Sequence, residues 1–215
     1  MRAVIFANGH LEHPRDALNL IEPDDLVIAA DGGARHCRTM GITPEWLVGD
    51  LDSLNQDEVR ELKELGVEII NYSRDKDFTD LELAFLQARD AGATEIVVLG
   101  GFGDRWDMTI SNLLLSTKSE FRELSVRLVD GPQETAIIRG GGKMTFSGQR
   151  GDVLSLIPLH QEAVGVNLTG LEYNLDDESL PVGTTKGISN VFVNDSATVS
   201  LKQGLLLCVI RRIRG

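Results

Sequence analysis

The sequence predicts an α/β protein in two parts: an open, mostly parallel α/β/α sheet domain over residues 1–131, then an all-β sandwich domain over residues 132–215. Up to about residue 130, apolar runs of strand length alternate with helix-like segments, the rhythm of βαβ units. Beyond that point the texture changes to short β-rich pieces separated by glycine-rich turns such as Gly140-Gly141-Gly142. A third observation bears on function. Acidic residues recur in three differently built clusters, GDLDS (49–53), DKDFTD (75–80) and GDRWD (103–107), a pattern that gathers carboxylates at one edge of a sheet. Such a gathering calls for a divalent cation.

In chain order, the candidate strands of the first domain cover residues 3–7, 26–30, 46–48, 67–70, 96–99 and 126–129. Their nearly unbroken Val, Ile and Leu content suits strands buried on both faces. Candidate helices lie between them at 33–40, 56–65, 79–91 and 108–116. Thr79 followed three residues later by Glu82 resembles a capping box ahead of Leu81, Leu83, Ala84 and Leu86. Asp77 and Asp80 would then stand at the start of a helix, facing the strand ends. Ligands of open α/β sheets collect outside the carboxyl ends of the strands, where all three acidic clusters fall. In the second domain the candidate strands are 135–139, 143–146, 153–158, 163–168, 191–193, 197–201 and 205–210, with no helix among them, which suits a sandwich.

Composition removes several classes of function. A net charge of −12 argues against nonspecific nucleic-acid binding and against anionic membrane surfaces, since both need a basic field. If the ligand is a polyphosphate, Mg²⁺ must offset the repulsion. The two cysteines, Cys37 and Cys208, are far apart and lack metal-binding spacing, so they read as free thiols of a reducing compartment. The N-terminal MRAVIFANG is too short an apolar run for a signal peptide, and no segment approaches the roughly 20 apolar residues of a membrane span. The expectation is a cytoplasmic protein.

Four motifs carry candidate chemistry, each with a plainer alternative. In GDLDS, Asp50 and Asp52 are two residues apart and share one side of an extended segment, while Gly49 lets a ligand or metal approach; the alternative is a loop of solvated aspartates. In ADGGAR, Gly32 and Gly33 would open backbone N–H groups to a phosphate and Asp31 could serve a metal or a ribose hydroxyl; a tight βα turn has the same composition. In RDKDFTD, Lys76 beside Asp77, Thr79 and Asp80 mixes a phosphate-binding cation with metal ligands, or is simply a charged helix start. In GGFGDRWDMTISN, Gly101 brings backbone close, Arg105 can fork onto phosphate oxygens, and Asp107 could orient that Arg, bind metal or hold the loop, with Trp106 read as packing. The β domain adds TTKGISN, whose hydroxyls, amide and Lys186 suit either a ligand or a β-turn.

Taken in order, ADGGA, VGDLDS, KDFTDLELA, LGGFGDRWD, SLIPL, LTGLEY and KGISN resemble the thiamine pyrophosphokinase family from residue 30 to 206. The resemblance implies a nucleotide- and metal-binding α/β domain, a thiamine-binding β sandwich and a homodimer whose sites lie between subunits. It implies transfer of the diphosphate of ATP to the hydroxyl of thiamine, leaving AMP. On this reading Asp50, Asp52, Asp77 and Asp80 hold Mg²⁺ and, with Arg105 and Asp107, form the catalytic set. The nucleotide falls to Asp31, Gly32, Gly33, Lys76, Thr79, Gly101 and Arg105, and thiamine to Tyr173, Ser189 and Asn190. Two positions depart from the family run Gly-Gly-Arg-x-Asp-His: Asp104 stands at its second glycine and Met108 at its histidine. The rival readings are a diphosphate transferase acting on another hydroxymethyl heterocycle such as a pterin, and a non-catalytic nucleotide-binding regulatory module.

Overall fold

The computed structural model describes residues 1–75 and 77–213, in two compact units, Met1–Gly131 and Pro132–Gly215. The first unit runs β1 (Arg2–Phe6), α1 (Pro14–Leu18), β2 (Leu26–Ala30), α2 (Ala34–Thr39), β3 (Trp46–Gly49), α3 (Gln56–Glu64), β4 (Glu68–Asn71), α4 (Asp80–Asp90), β5 (Glu95–Leu99), α5 (Trp106–Leu115) and β6 (Ser125–Asp130). Its strands are ordered β6-β5-β1-β2-β3-β4, and every pairing among them is parallel. Because side chains alternate along a strand, Ala3 and Ile5 of β1 enter one buried layer and Val4 and Phe6 the other. The first layer is completed by Leu81, Leu83, Ala84 and Phe85 of α4 and Leu115 of α5, the second by Ala17, Cys37 and Leu62 of α1, α2 and α3. This is the open, parallel α/β/α architecture that the unbroken apolar strands predict.

The elements differ from expectation where local signals are weak. The sequence reading lacked α1, a single turn introduced by Pro14 whose N-cap, His13, makes no side-chain capping bond. Thr79 does cap α4, its hydroxyl accepting from the Glu82 N–H at 3.2 Å, but the Glu82 carboxylate is engaged by Lys118. The reciprocal capping box lies on α3 instead, where Asn55 accepts from Glu58 N–H at 2.9 Å and the Glu58 carboxylate accepts from Asn55 N–H at 2.9 Å.

The second unit comprises β7 (Gln133–Arg139), β8 (Lys143–Ser147), β9 (Val153–Pro158), β10 (Glu162–Thr169), β11 (Leu175–Pro181), β12 (Asn190–Val191), β13 (Ser196–Ser200) and β14 (Leu205–Arg211). They form two antiparallel arrays, β12-β9-β14-β7 and β11-β10-β13-β8. Leu154, Leu156, Leu206 and Cys208 of the first array share one core with Phe146, Val166, Leu168, Leu180 and Val199 of the second. The strand β11 was not expected. Its LDDESLP sequence is acidic because it is an edge strand, buried only at Leu175 and Leu180 and paired to β10 through register shifts. Both cysteines are free and buried, and loss of hydration pushes the Cys37 thiol up to about 12 and the Cys208 thiol well above its ordinary value. Among the described residues no helix is long and apolar enough to cross a membrane.

Candidate active site

In the first unit the strand order turns at β1 and β5, which lie side by side with later strands on one side and earlier ones on the other. Their two loops leave the sheet together. Ala7 N–H donates to Leu99 O at 2.8 Å, Gly9 N–H to Gly100 O at 2.8 Å and His10 N–H to Phe102 O at 2.6 Å. No side chain fits between them, because a Cβ on Gly9 would lie 2.1 Å from Phe102 O. The β5 loop is held from α5: the buried Asn112 donates to Gly101 O at 2.7 Å, and the Thr109 hydroxyl bonds Gly103. Beyond these strand ends opens a cavity of 480 Å³ lined by Asn8, His10, Asp31, Asp52, Ser53, Thr79, Asp80, Gly101, Phe102, Asp104, Arg105, Met108 and Thr109, among others. A crevice outside the carboxyl ends at the reversal of strand order is where this fold class binds ligands.

The acidic residues meet here in a grouping the sequence only half anticipates. Asp31, Asp50 and Asp52 each offer an oxygen, and the three atoms lie within 4.8 Å of one another. Asp31 directly follows β2, is 4% exposed and has a left-handed φ of 45°; its Oδ1 is buried with no hydrogen-bond partner. Leu51 is left-handed as well, φ 63°, and the turn it makes lets Asp52 N–H donate to Asp50 Oδ1 at 3.2 Å. Asp52 also pairs with Arg74 at 2.7 Å. A buried carboxylate oxygen without a donor, crowded by two further carboxylates, is unfavourable unless a cation intervenes. All-oxygen donors of this hardness fit Mg²⁺.

The remaining predicted residues fall as follows. Asp80 is partly buried, lines the cavity and lies against Gly49, on which a Cβ would sit 2.8 Å from Asp80 Oδ1. Asp77 is exposed and is not among the lining residues, while Lys76 lies outside the described residues. Gly32 and Gly33 have a packing reason of their own: a Cβ on Gly33 would lie 1.9 Å from Phe6 O, and one on Gly32 would lie 2.4 Å from the Asn8 side chain. Arg105 reaches the cavity with its fork on Asp107, Nη2 to Oδ2 at 2.6 Å and Nε to Oδ1 at 3.3 Å. That hydrogen bond from Arg105 is also what lowers the Asp107 pKa, so the carboxylate stays ionised. Of the roles open to Asp107, orienting the guanidinium is the one this geometry displays.

In the second unit Tyr173, Ser189 and Asn190 come together. Asn190 is 3% exposed and its amide is spent on the Tyr173 backbone, accepting from N–H at 3.0 Å and donating to O at 2.6 Å. The Tyr173 ring is left 69% exposed. Ser189 is exposed at φ 57°, with its N–H bonded to Ser155 Oγ at 2.9 Å. Asn8, Ser53 and Asn112 were missed by the sequence reading. Asn8 and Ser53 carried the signal already used for the aspartates, a polar residue just past an apolar strand.

The chain matches two family models: "Thiamin pyrophosphokinase, catalytic domain" over residues 17–128 and "Thiamin pyrophosphokinase, vitamin B1 binding domain" over residues 143–206. Thiamine pyrophosphokinase of Bacillus subtilis is 27% identical over 205 residues, covering 95% of this chain and 96% of that one. Thiamine pyrophosphokinase 1 of Oryza sativa is 26% identical over 234 residues, covering 98% and 87%. The crystal structure of the Bacillus subtilis enzyme superposes with a TM-score of 0.89 at 24% identity over 100% of both chains, and that of Geobacillus thermodenitrificans with 0.87 at 25% identity over 100% and 99%. With its catalytic-domain match spanning more than half its length and a thiamine-binding match following in order, the chain belongs to the thiamin pyrophosphokinase family.

Proposed function

We propose that this chain transfers the diphosphate of ATP to thiamine at the cavity beyond β1, β2, β3 and β5, with Mg²⁺ held by Asp31, Asp50 and Asp52. The observation that carries the site is the buried, unpartnered Oδ1 of Asp31 beside two other carboxylates. Mg²⁺, when bound, offsets polyphosphate charge that an acidic site would otherwise repel. Arg105, held in its fork by Asp107, exchanges part of that pairing for phosphate oxygens and stabilises charge that builds during transfer. The Gly101–Gly103 loop, fixed by Asn112 and Thr109, keeps backbone beside the phosphates. The thiamine hydroxyl oxygen forms a bond to the β-phosphorus in line while the bond from that phosphorus to the oxygen bridging it to the α-phosphorus breaks. The electron pair leaves with AMP, and the hydroxyl proton is released to solvent.

Thiamine is assigned to the β domain, where the Tyr173 ring offers an exposed face to a cationic thiazolium and Asn190 fixes the backbone that carries it. The enzyme is proposed to act as a cytoplasmic homodimer in which Tyr173 and Ser189 of one chain face the nucleotide edge of the other. Incubation with ATP, Mg²⁺ and either thiamine or a hydroxymethylpterin tests the assignment. Thiamine diphosphate and AMP are the expected products; diphosphorylated pterin alone, or no product from either, overturns it. Tyr173→Ala should raise the thiamine KM by roughly two- to thirtyfold, the span of one cation–π contact, and leave the ATP KM nearly unchanged. Steady-state kinetics with each substrate varied in turn check this, and a collapse confined to ATP would move thiamine off the β domain.

A further inference from the structure

Arg35, at the end of ADGGAR, stands on α2 four residues after Asp31 and is not among the residues lining the cavity. Its guanidinium reaches instead to the segment that follows β3, where Nη2 donates to Ser53 O and Nε donates to Glu58 Oε1 at 3.3 Å. Glu58 is itself fixed, because its other oxygen accepts the Asn55 N–H at 2.9 Å in the α3 capping box. The Asn55 N–H and, after it, Arg35 lower the Glu58 pKa, so the carboxylate keeps its charge. We propose that Arg35 is a positioning residue that braces the loop carrying Asp50 and Asp52 against the turn carrying Asp31, and so sets the spacing of the three carboxylates. The inference rests on the Mg²⁺ reading above and adds the residue that holds the ligands in place.

The sheet does not supply this spacing alone. β2 and β3 stay in register only as far as Ala30 and Val48, and all three aspartates lie past that rung. Beyond it both chains turn sharply, at Asp31 with φ 45° and at Leu51 with φ 63°. Arg35 is joined to Asp31 by a short, stiff path: Gly32 and Gly33 leave no room for a Cβ against Asn8 and Phe6, and Arg35 O accepts the Thr39 hydroxyl at 2.8 Å in the first turn of α2. On the other side Ser53 couples its carbonyl to the acids. Its hydroxyl donates to Asp52 Oδ1 at 3.4 Å, and Asp52 N–H donates to Asp50 Oδ1 at 3.2 Å. A planar fork suits this task, since one guanidinium bonds a carbonyl and a carboxylate at once. One turn further along, Arg38 joins the same two helices through Glu61 at 3.7 Å, a bond to α3 rather than to the loop.

Calorimetric titration of the full chain with Mg²⁺ alone tests this, with a thermal melt in the absence of metal as the check of folding. Arg35→Gln is expected to weaken Mg²⁺ binding by about tenfold, the low end of what losing an outer support costs a metal site, while melting close to wild type. Arg38→Gln, which breaks the neighbouring helix-to-helix pair and leaves the loop bond intact, should bind Mg²⁺ as wild type does. Wild-type affinity in Arg35→Gln, or an equal loss in Arg38→Gln, overturns the brace and leaves the Mg²⁺ site standing. If Arg35→Gln melts well below wild type, Glu58→Gln decides: its amide oxygen can still accept the Asn55 N–H, but its charge no longer holds Arg35. Weaker Mg²⁺ binding in that variant supports the brace, and unchanged binding overturns it. A wild type that takes up no Mg²⁺ removes the metal reading itself, and the brace with it.

Discussion

Asp31→Asn is expected to lower turnover at saturating ATP and thiamine by on the order of a hundredfold, the loss that follows removal of one strong electrostatic contact to developing charge. The substitution is nearly isosteric, and Asn tolerates the left-handed φ of 45° that this position requires, so the turn should persist. What disappears is one of three carboxylate charges gathered within 4.8 Å. Two measurements separate this from general damage. Without metal, the variant should melt no lower than wild type, because a carboxylate repelled by its neighbours has been removed. With Mg²⁺, wild type should gain stability, about 2.7 kcal/mol at a hundredfold excess over Kd, and the variant much less. Asp77→Asn is the comparison: Asp77 is exposed and lies apart from the cavity lining, so its effect should be smaller. Wild-type turnover in Asp31→Asn, or a larger loss in Asp77→Asn, would return the metal to the set first read from the sequence.

That set illustrates what a chain reveals on its own. The strand β2 was legible at Leu26–Ala30 because an apolar run ends abruptly at Asp31. The ends of α4 were within a residue because Thr79 caps it with a side-chain bond. By contrast α1 has no capping side chain and only one buried residue, Ala17, so no periodicity announces it. β11 carries three acids in seven residues because its outer edge faces water, and that composition gives no strand signal. The acidic clusters were legible as a candidate site, since each follows a strand of one parallel sheet. Which carboxylates touch was not. Asp31 and Asp50 are 19 positions apart and meet because β2 and β3 are adjacent and in register, Ala30 against Val48, a pairing no local pattern encodes. Asp77 and Asp80 share one motif, yet only Asp80 lines the cavity, because α4 begins between them. The role of Asn190 was hidden for a similar reason: its partner is a backbone 17 residues away.

Gly49→Ala is the second large expected loss, and it tests how tightly the backbone draws this site together. Gly49 ends β3 with φ 148°, a conformation L residues rarely adopt. A methyl there would stand 2.8 Å from Asp80 Oδ1 and 3.1 Å from Asp31 Cβ. The backbone cannot easily yield, because Gly49 O accepts the Tyr72 N–H at 2.9 Å at the start of the next loop. The strain should cost about 1 to 3 kcal/mol of stability, and the displaced carboxylates should lower turnover by on the order of a hundredfold, as ångström-scale misplacement does. Gly41→Ala is the control, since Gly41 also has a positive φ of 68° but nothing lies within 4 Å of its would-be Cβ. It should lose stability and keep its turnover. If the damage passes through Asp80, removing that carboxylate with Asp80→Ala should make the two losses strongly non-additive in a double-mutant cycle. A Gly49→Ala enzyme with the turnover and melting temperature of wild type would mean that the close approach of β3 to Asp31 and Asp80 is not needed for the reaction.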